Sequence, residues 1–247
     1  MSQEDKQYLV SIITVTKNCA QTIARTLESI RSVKSPEIQY VIVDGESTDG
    51  TLDIIRSHGD LVDILISEKD SGVYNAMNKG AASATGQYVL FLNGDDRLVA
   101  DGFNRALDIL RSEKPKILSC RSSVCWDNGQ DVEVLDPRPF LLPFFNVIPH
   151  MSTFISSSIQ RQFGYREDLR IASDYDLFLR LFLRGYHFKV SNLITAVHYR
   201  GGGISADRAR SAIEIETVKR DHLGLFYYVI KFVEWLNQRR KRMCLAQ

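Results

Sequence analysis

The sequence predicts an α/β protein: a mostly parallel central sheet with helices on both faces, and further helices at the C-terminus. Three observations carry this. Short β-branched apolar runs alternate with segments of helical period through the first half of the chain. The runs are too continuously apolar to keep a wet face, as strands covered on both sides are. The second and fourth of them stop at Asp44-Gly45 and at Asn93-Gly94-Asp95-Asp96, turn residues that end a strand abruptly.

Taken in order, residues 9–15 form a first buried strand, and 20–33 a helix with Ile23, Leu27 and Ile30 on its packing face. Residues 38–43 are the second strand, 51–57 a helix, 61–67 the third strand, 75–84 a helix and 88–92 the fourth strand. Beyond residue 115 the rhythm changes. Strands are expected at 117–124 and 132–135, after which Pro137, Pro139, Pro143 and Pro149 predict an extended loop across a site. A helix at 174–184, a strand at 194–198, the run Gly201-Gly202-Gly203, and helices at 207–222 and 226–242 complete the chain. The whole reads as one domain over 1–224, with halves at about 1–114 and 115–224, followed by an amphipathic, basic segment at 225–247.

Composition narrows the function. The 247 residues carry 31 Lys and Arg against 30 Asp and Glu, so no basic excess marks a nucleic-acid binder. Four cysteines without CxxC pairing predict neither a zinc site nor a disulfide framework, and with the polar start Met1–Tyr8 they point to the cytoplasm. No run approaches the roughly 20 apolar residues of a membrane span.

In an open parallel sheet, ligands bind beyond the carboxyl ends of the strands. Asp44, then Glu68 and Asp70, then Asp95 and Asp96 all fall on that edge. Two adjacent carboxylates after a buried strand repel each other unless a cation neutralises them, and hard Mg²⁺ or Mn²⁺ is the cation that favours such oxygen ligands.

The segments Val10-Ser-Ile-Ile-Thr-Val-Thr-Lys-Asn18, Val41-Ile-Val-Asp-Gly-Glu-Ser-Thr-Asp-Gly-Thr51 and Asn93-Gly-Asp-Asp96 resemble family 2 glycosyltransferases of the GT-A fold. Glu68-Lys-Asp-Ser-Gly-Val-Tyr-Asn-Ala-Met-Asn-Lys-Gly80 is similar to members that assemble bacterial surface polysaccharides, including O-antigen and colanic-acid types. Ile171-Ala-Ser-Asp-Tyr-Asp-Leu-Phe-Leu-Arg180 resembles the family's catalytic helix, and Gly201-Gly-Gly-Ile-Ser205 its closing loop. The likeness implies an inverting transfer from a nucleotide-diphosphate sugar, with uridine diphosphate the expected carrier. The expected acceptor is a polyprenyl-diphosphate-linked oligosaccharide.

Carried over by position, it places Thr14 or Thr16, Asn18, Asp44 and Asp70 at the nucleotide, and Asn75, Lys79, Asn93 and Arg200 on the donor side. Asp95 is placed at the ribose or the metal, and Asp96 and His198 at the metal. Asp174 is the implied general base, with Asp176 a close alternative, and His150 and Tyr175 are placed at the acceptor. Ser173 stands where members often carry an acid.

The tail joins Phe, Tyr, Val, Ile and Trp residues over 225–236 to Arg239-Arg-Lys-Arg242, a composition suited to an anionic membrane surface or to a closing helix that packs on the core or on a second subunit. Two rival functions use the same features. A sugar-phosphate nucleotidyltransferase needs a glycine-rich loop after the first strand, and Thr16-Lys-Asn-Cys-Ala20 has no glycine. A non-catalytic sugar-nucleotide binder is opposed by the intact Asp44, Asp95, Asp96 and Asp174.

Overall fold

A computed structural model describes residues 7–126, 131–200, 207–232 and 235. The first half runs β1 (Val10–Thr16), α1 (Ile23–Arg31), β2 (Ile38–Asp44), α2 (Thr51–Ser57), β3 (Ile64–Ser67), α3 (Val73–Ser83) and β4 (Tyr88–Asn93). Then come β5 (Arg97–Leu98), α4 (Ala100–Glu113), β6 (Ile117–Trp126) and β7 (Asp131–Leu135). After the proline-rich loop the chain continues through β8 (Thr153–Ser156), α5 (Ser157–Phe163), α6 (Ser173–Leu183), β9 (Phe188–Arg200) and α7 (Arg208–Leu223). Helix continues over 225–232.

The strands form one sheet of order β3-β2-β1-β4-β8-β6-β9-β5, with β7 paired to β6. Its first four strands are parallel. β8 then enters antiparallel to both β4 and β6, while β6 and β9 are parallel to each other. Register brings Thr16 opposite Asp44 and Val15 opposite Asn93, so β1, β2 and β4 end level along one edge.

Alternate residues of β1 feed two cores. Ile13 and Val15 pack with Met77 and Ala81 of α3, Ile159 of α5, and Leu177 and Phe178 of α6. Val10 and Ile12 pack with Ile23, Leu27 and Ile30 of α1, and with Phe103, Leu107 and Leu110 of α4. Each helix turns one apolar stripe to the sheet, so both faces are covered. α4 approaches β9 so closely that a Cβ on Gly102 would lie 1.9 Å from the Ile194 carbonyl oxygen, which admits only glycine there.

Several elements depart from the sequence expectation. α4, β5, β8 and α5 are additional, and β9 runs from Phe188 rather than from residue 194. The proline-rich stretch is indeed loop, broken by single 3-10 turns at Pro139–Leu141 and His150–Ser152. Among the described residues, no helix is long and apolar enough to cross a membrane. The glycine run 201–203 and the basic cluster 239–242 lie outside the described residues.

Candidate active site

A cleft of about 940 Å³ opens along the edge where the parallel strands end. Thr16 and Lys17 after β1, Asp70 to Tyr74 before and within α3, and Asn93 to Asp95 after β4 line one side. The end of β7 and the loop that follows it to residue 151, the segment Arg170 to Ala172, Asp174 and His198 line the other, with Ser211 and Ile215 of α7.

The Asn93–Asp96 loop is held from behind by three side chains of one helical turn. Thr22 Oγ1 donates to the Gly94 carbonyl at 2.9 Å, an Arg25 Nη donates to the Asp95 carbonyl at 3.0 Å, and Thr26 Oγ1 donates to the Asp96 carbonyl at 2.7 Å. The Arg25 guanidinium also lies 3.4 Å over the Tyr199 ring, which ties the end of β9 to the same loop. Sequence reading missed these three residues, though their i, i+3, i+4 spacing puts them on one face of α1.

Asp96 is wholly buried. Its Oδ1 accepts from the Tyr199 backbone N–H at 3.2 Å and lies 2.9 Å from His198 Nδ1. A carboxylate only accepts, so this contact places the imidazole proton on Nδ1. Asp96 Oδ2 is buried with no partner, and so are Asn93 Oδ1 and Thr16 Oγ1. Burial, and then the charge of Asp96, push the neighbouring Asp95 carboxyl up to about 6. Unpaired buried oxygens and a carboxylate displaced by its neighbour's charge are what a hard divalent cation relieves, so the residues fit Mg²⁺ or Mn²⁺. Among the described residues no three His, Cys, Asp or Glu side chains form a self-contained metal cluster. A cation here would need ligands from a bound diphosphate or water, the usual habit of Mg²⁺.

Across the cleft, Asp174 stands in the first turn of α6. Its Oδ1 accepts from the Tyr175 N–H at 2.7 Å and lies 3.4 Å from the Tyr74 hydroxyl oxygen, whose proton goes to the Ile171 carbonyl at 2.6 Å. Its Oδ2 faces His150 Nδ1 at 3.6 Å, and His150 Nε2 lies 3.4 Å from Asn93 Nδ2. A polar chain therefore spans the cleft from the β4 end to α6.

The family model for glycosyl transferase family 2 matches residues 11–185, well over half of the chain. The chain belongs to glycosyltransferase family 2. It is 27% identical over 235 residues to the UDP-Glc:alpha-D-GlcNAc-diphosphoundecaprenol beta-1,3-glucosyltransferase of Escherichia coli, covering 90% of this chain and 93% of that one. Among solved structures it resembles Staphylococcus aureus TarS 1-349 in complex with UDP-GlcNAc, with TM-score 0.70 and 18% identity over 85% of this chain. It spans 65% of that TarS chain. A mannosyltransferase from Pyrobaculum calidifontis, solved with GDP-Man and Mn²⁺, matches with TM-score 0.60 and 22% identity over 88% of this chain and 62% of its own. The fold is GT-A, and the protein is a glycosyltransferase.

Within this family 2 framework the expected site residues divide. Thr16, Asp70, Asn93, Asp95, His150, Asp174 and His198 do line the cleft. Asp70 packs against the end of β2, where a Cβ on Gly45 would sit 2.3 Å from its Oδ2. Thr14 is instead buried within the sheet, accepting from the Tyr40 hydroxyl at 3.1 Å. Asp44 is also fully buried, accepting from the Ser47 N–H at 3.0 Å, from the Ser47 hydroxyl and from Ser67 Oγ at 2.9 Å. It shapes the loop after β2 and presents no open oxygen to a base. Asn18 adopts φ 53° and accepts from the Thr48 N–H at 2.9 Å, joining the loops that follow β1 and β2.

Asn75 turns away to Glu167 at 2.8 Å, and Lys79 is engaged by Glu68 at 2.8 Å and the Lys69 carbonyl at 2.9 Å, so neither faces a diphosphate. Tyr175 has no exposed surface, and its hydroxyl donates to the Leu142 carbonyl at 2.8 Å, supporting the cleft wall rather than meeting an acceptor. The Arg200 side chain lies outside what is described.

The two acids on α6 lie in different surroundings. Asp176 is wholly buried, 2.7 Å from Arg180 Nε, 2.7 Å from His222 Nε2 and 3.4 Å from Arg166. Burial alone would raise its carboxyl, but the His222 hydrogen bond and the Arg180 charge outweigh burial and hold it below the usual range. Asp176 is thus a structural anchor between α6 and α7. Asp176→Ala should cost about 3 kcal/mol, because it removes the one carboxylate beside the largely buried Arg180, which keeps only the Phe163 and Gly164 carbonyls, and thermal denaturation reads this directly. A depressed folded-state value means that Asp176 stabilises the fold above its unfolded value of about 3.9. That stability is lost as pH falls through the folded value.

Proposed function

We propose that this family 2 enzyme transfers a sugar, with inversion, from a uridine diphosphate donor to a hydroxyl of a polyprenyl-diphosphate-linked oligosaccharide. The observation that carries the reading is the pairing across one cleft of an under-satisfied acidic loop, Asn93 to Asp96, with a separate, largely buried carboxylate that lines the cleft, Asp174. The first suits a leaving diphosphate and the second suits an acceptor hydroxyl.

Asp95 and Asp96, with His198 behind them, would hold a divalent cation, which when bound neutralises charge developing on the leaving diphosphate. Asp70 and Thr16 lie on the same side for the nucleotide. Asp174 Oδ2 takes the acceptor hydroxyl proton as that oxygen attacks the anomeric carbon and the bond to the diphosphate oxygen breaks. One displacement inverts the centre, so an α-linked donor yields a β-linkage. The Tyr175 N–H fixes the Oδ1 side of the base, which leaves Oδ2 directed at His150 and the cleft. The donor nucleotide is supported by the UDP-GlcNAc complex of TarS, and the acceptor class by the undecaprenol-linked acceptor in the Escherichia coli relative's name.

The C-terminal segment supports a lipid-borne acceptor. Leu225 is 85% exposed and Phe232 59% exposed, with Tyr228, Val229 and Trp235 also open. Phe226 packs against Phe144 with ring centroids 6.2 Å apart, which joins this apolar surface to the loop walling the cleft. Phe140 and Phe145 of that loop are exposed as well. Residues 239–242 then add four basic side chains.

The test is transfer of labelled sugar from a panel of nucleotide sugars to undecaprenyl-diphosphate-linked N-acetylglucosamine in vesicles containing anionic lipid. One donor should be consumed in a cation-dependent way. Replacing the four basic residues by Gln should cut vesicle binding on the order of 10³-fold, since each basic residue near an anionic surface contributes about 1 kcal/mol and every 1.4 kcal/mol is tenfold. A donor that binds and is never transferred to any acceptor would instead favour a binding partner without turnover.

A further inference from the structure

The segment that delivers Asp174 is gripped from outside α6 by a residue remote in sequence. Glu214 of α7 accepts from three consecutive backbone N–H groups: Arg170 at 3.1 Å, Ile171 at 2.8 Å and Ala172 at 3.0 Å. The Glu214 side chain is only 12% exposed. On the opposite side of the same segment, the Tyr74 hydroxyl of α3 donates to the Ile171 carbonyl at 2.6 Å. Ile171 is therefore held at both its N–H and its C=O, by two helices far apart in sequence that share one core. Ala172 caps α6, and Asp174 follows two residues later.

From this geometry we infer that Glu214 is a positioning residue for transfer: it fixes the turn before α6 so that the Asp174 carboxylate meets the acceptor hydroxyl. The proposal rests on Asp174 being the base. Hydrogen bonds from several N–H groups to an ionised carboxylate are among the stronger ones, so the clamp is stiff. Nothing within α6 replaces it. Ser173 Oγ is buried without a partner, and Ala172 supplies no side-chain cap. Because Ser211 and Ile215 of α7 line the cleft on either side of Glu214 in sequence, the helix that fills the acceptor wall is also the helix that sets the base.

The experiment compares Glu214→Leu, Glu214→Asp, Tyr74→Phe, the double variant Glu214→Leu with Tyr74→Phe, and Asp174→Asn in the full chain. Rates are expressed per donor-binding site, counted by titration with the nucleotide, so loss of folded protein does not masquerade as loss of rate. Glu214→Leu should lower kcat by between about 10- and 100-fold, the range expected when a catalytic group is misplaced by about an ångström. Donor affinity should stay within about twofold, since the donor side of the cleft is untouched. Glu214→Asp should recover part of the rate. The double variant should lose less than the product of the single losses, because both partners hold one segment.

An unchanged kcat per site in Glu214→Leu, with only a lower Tm, would overturn the inference and leave Glu214 a structural residue. Should Asp174→Asn keep full turnover, the assignment of the base fails instead, whatever Glu214 does.

Discussion

Asp174→Asn should abolish sugar transfer while leaving donor binding in place. General-base assistance contributes roughly 10² to 10⁴ in rate, and kcat should fall within that range. The amide keeps an oxygen for the Tyr175 N–H, so the start of α6 should hold its shape. It presents no basic atom toward the acceptor. Asp176→Asn provides the contrast: its damage falls on the α6–α7 junction with Arg180 and His222, and it should appear in Tm before it appears in rate. Calorimetric titration with the nucleotide beside a transfer assay separates the two. Full turnover in Asp174→Asn would remove Asp174 from the chemistry.

Asp96→Asn should have the second large effect, and of a different kind. It should erase the difference between cation and chelator in donor turnover, with a loss of roughly 10² to 10³-fold, corresponding to several kcal/mol of charge stabilisation. Stability should move the other way or not at all. The amide still offers an oxygen to the Tyr199 N–H, and removing the charge relieves the repulsion that adds to burial in pushing Asp95 up. A variant that is as stable as wild type or more so, yet indifferent to Mn²⁺, is the signature of a buried acid retained for its ligand. Equal loss of stability and of donor affinity would show that Asp96 only braces the loop.

What could be read from the sequence follows how local each signal is. β1, β2 and β4 are legible because continuous β-branched runs end in turn residues, and the Asn93–Asp96 loop is legible because it sits at such an end. α4 carries an equally clear pattern, with Phe103, Ala106, Leu107 and Leu110 at helical spacing, and the reading passes over it. β8 has no comparable signal. Four residues, Thr153–Ser156, become a strand through pairing with β4 and β6, and nothing in their own composition requires it.

The same distinction separates the site residues. Asp174 is legible from its helix, but its neighbour His150 is 24 positions earlier in the chain, and Glu214 reaches the turn before α6 from 42 to 44 positions away. Asp44 fails as an open acceptor for a related reason. Its position at the strand end is as expected, but Ser47 and Ser67 close over it, which only the folded loops reveal.

β8 has a consequence for how such an enzyme diversifies. Its antiparallel insertion welds β4, which leads into the acidic loop, to β6 and through it to β9, which brings His198 to that loop. Backbone pairing, not a hinge, fixes the spacing between the sheet's two halves. The proline-punctuated wall between β7 and β8 takes no part in that pairing, apart from its ends. Sequence change in this wall can therefore fall on exposed positions such as Phe140 and Phe145, while buried Leu142 and Ile148, and His150 facing Asp174, keep the spacing that the sheet sets.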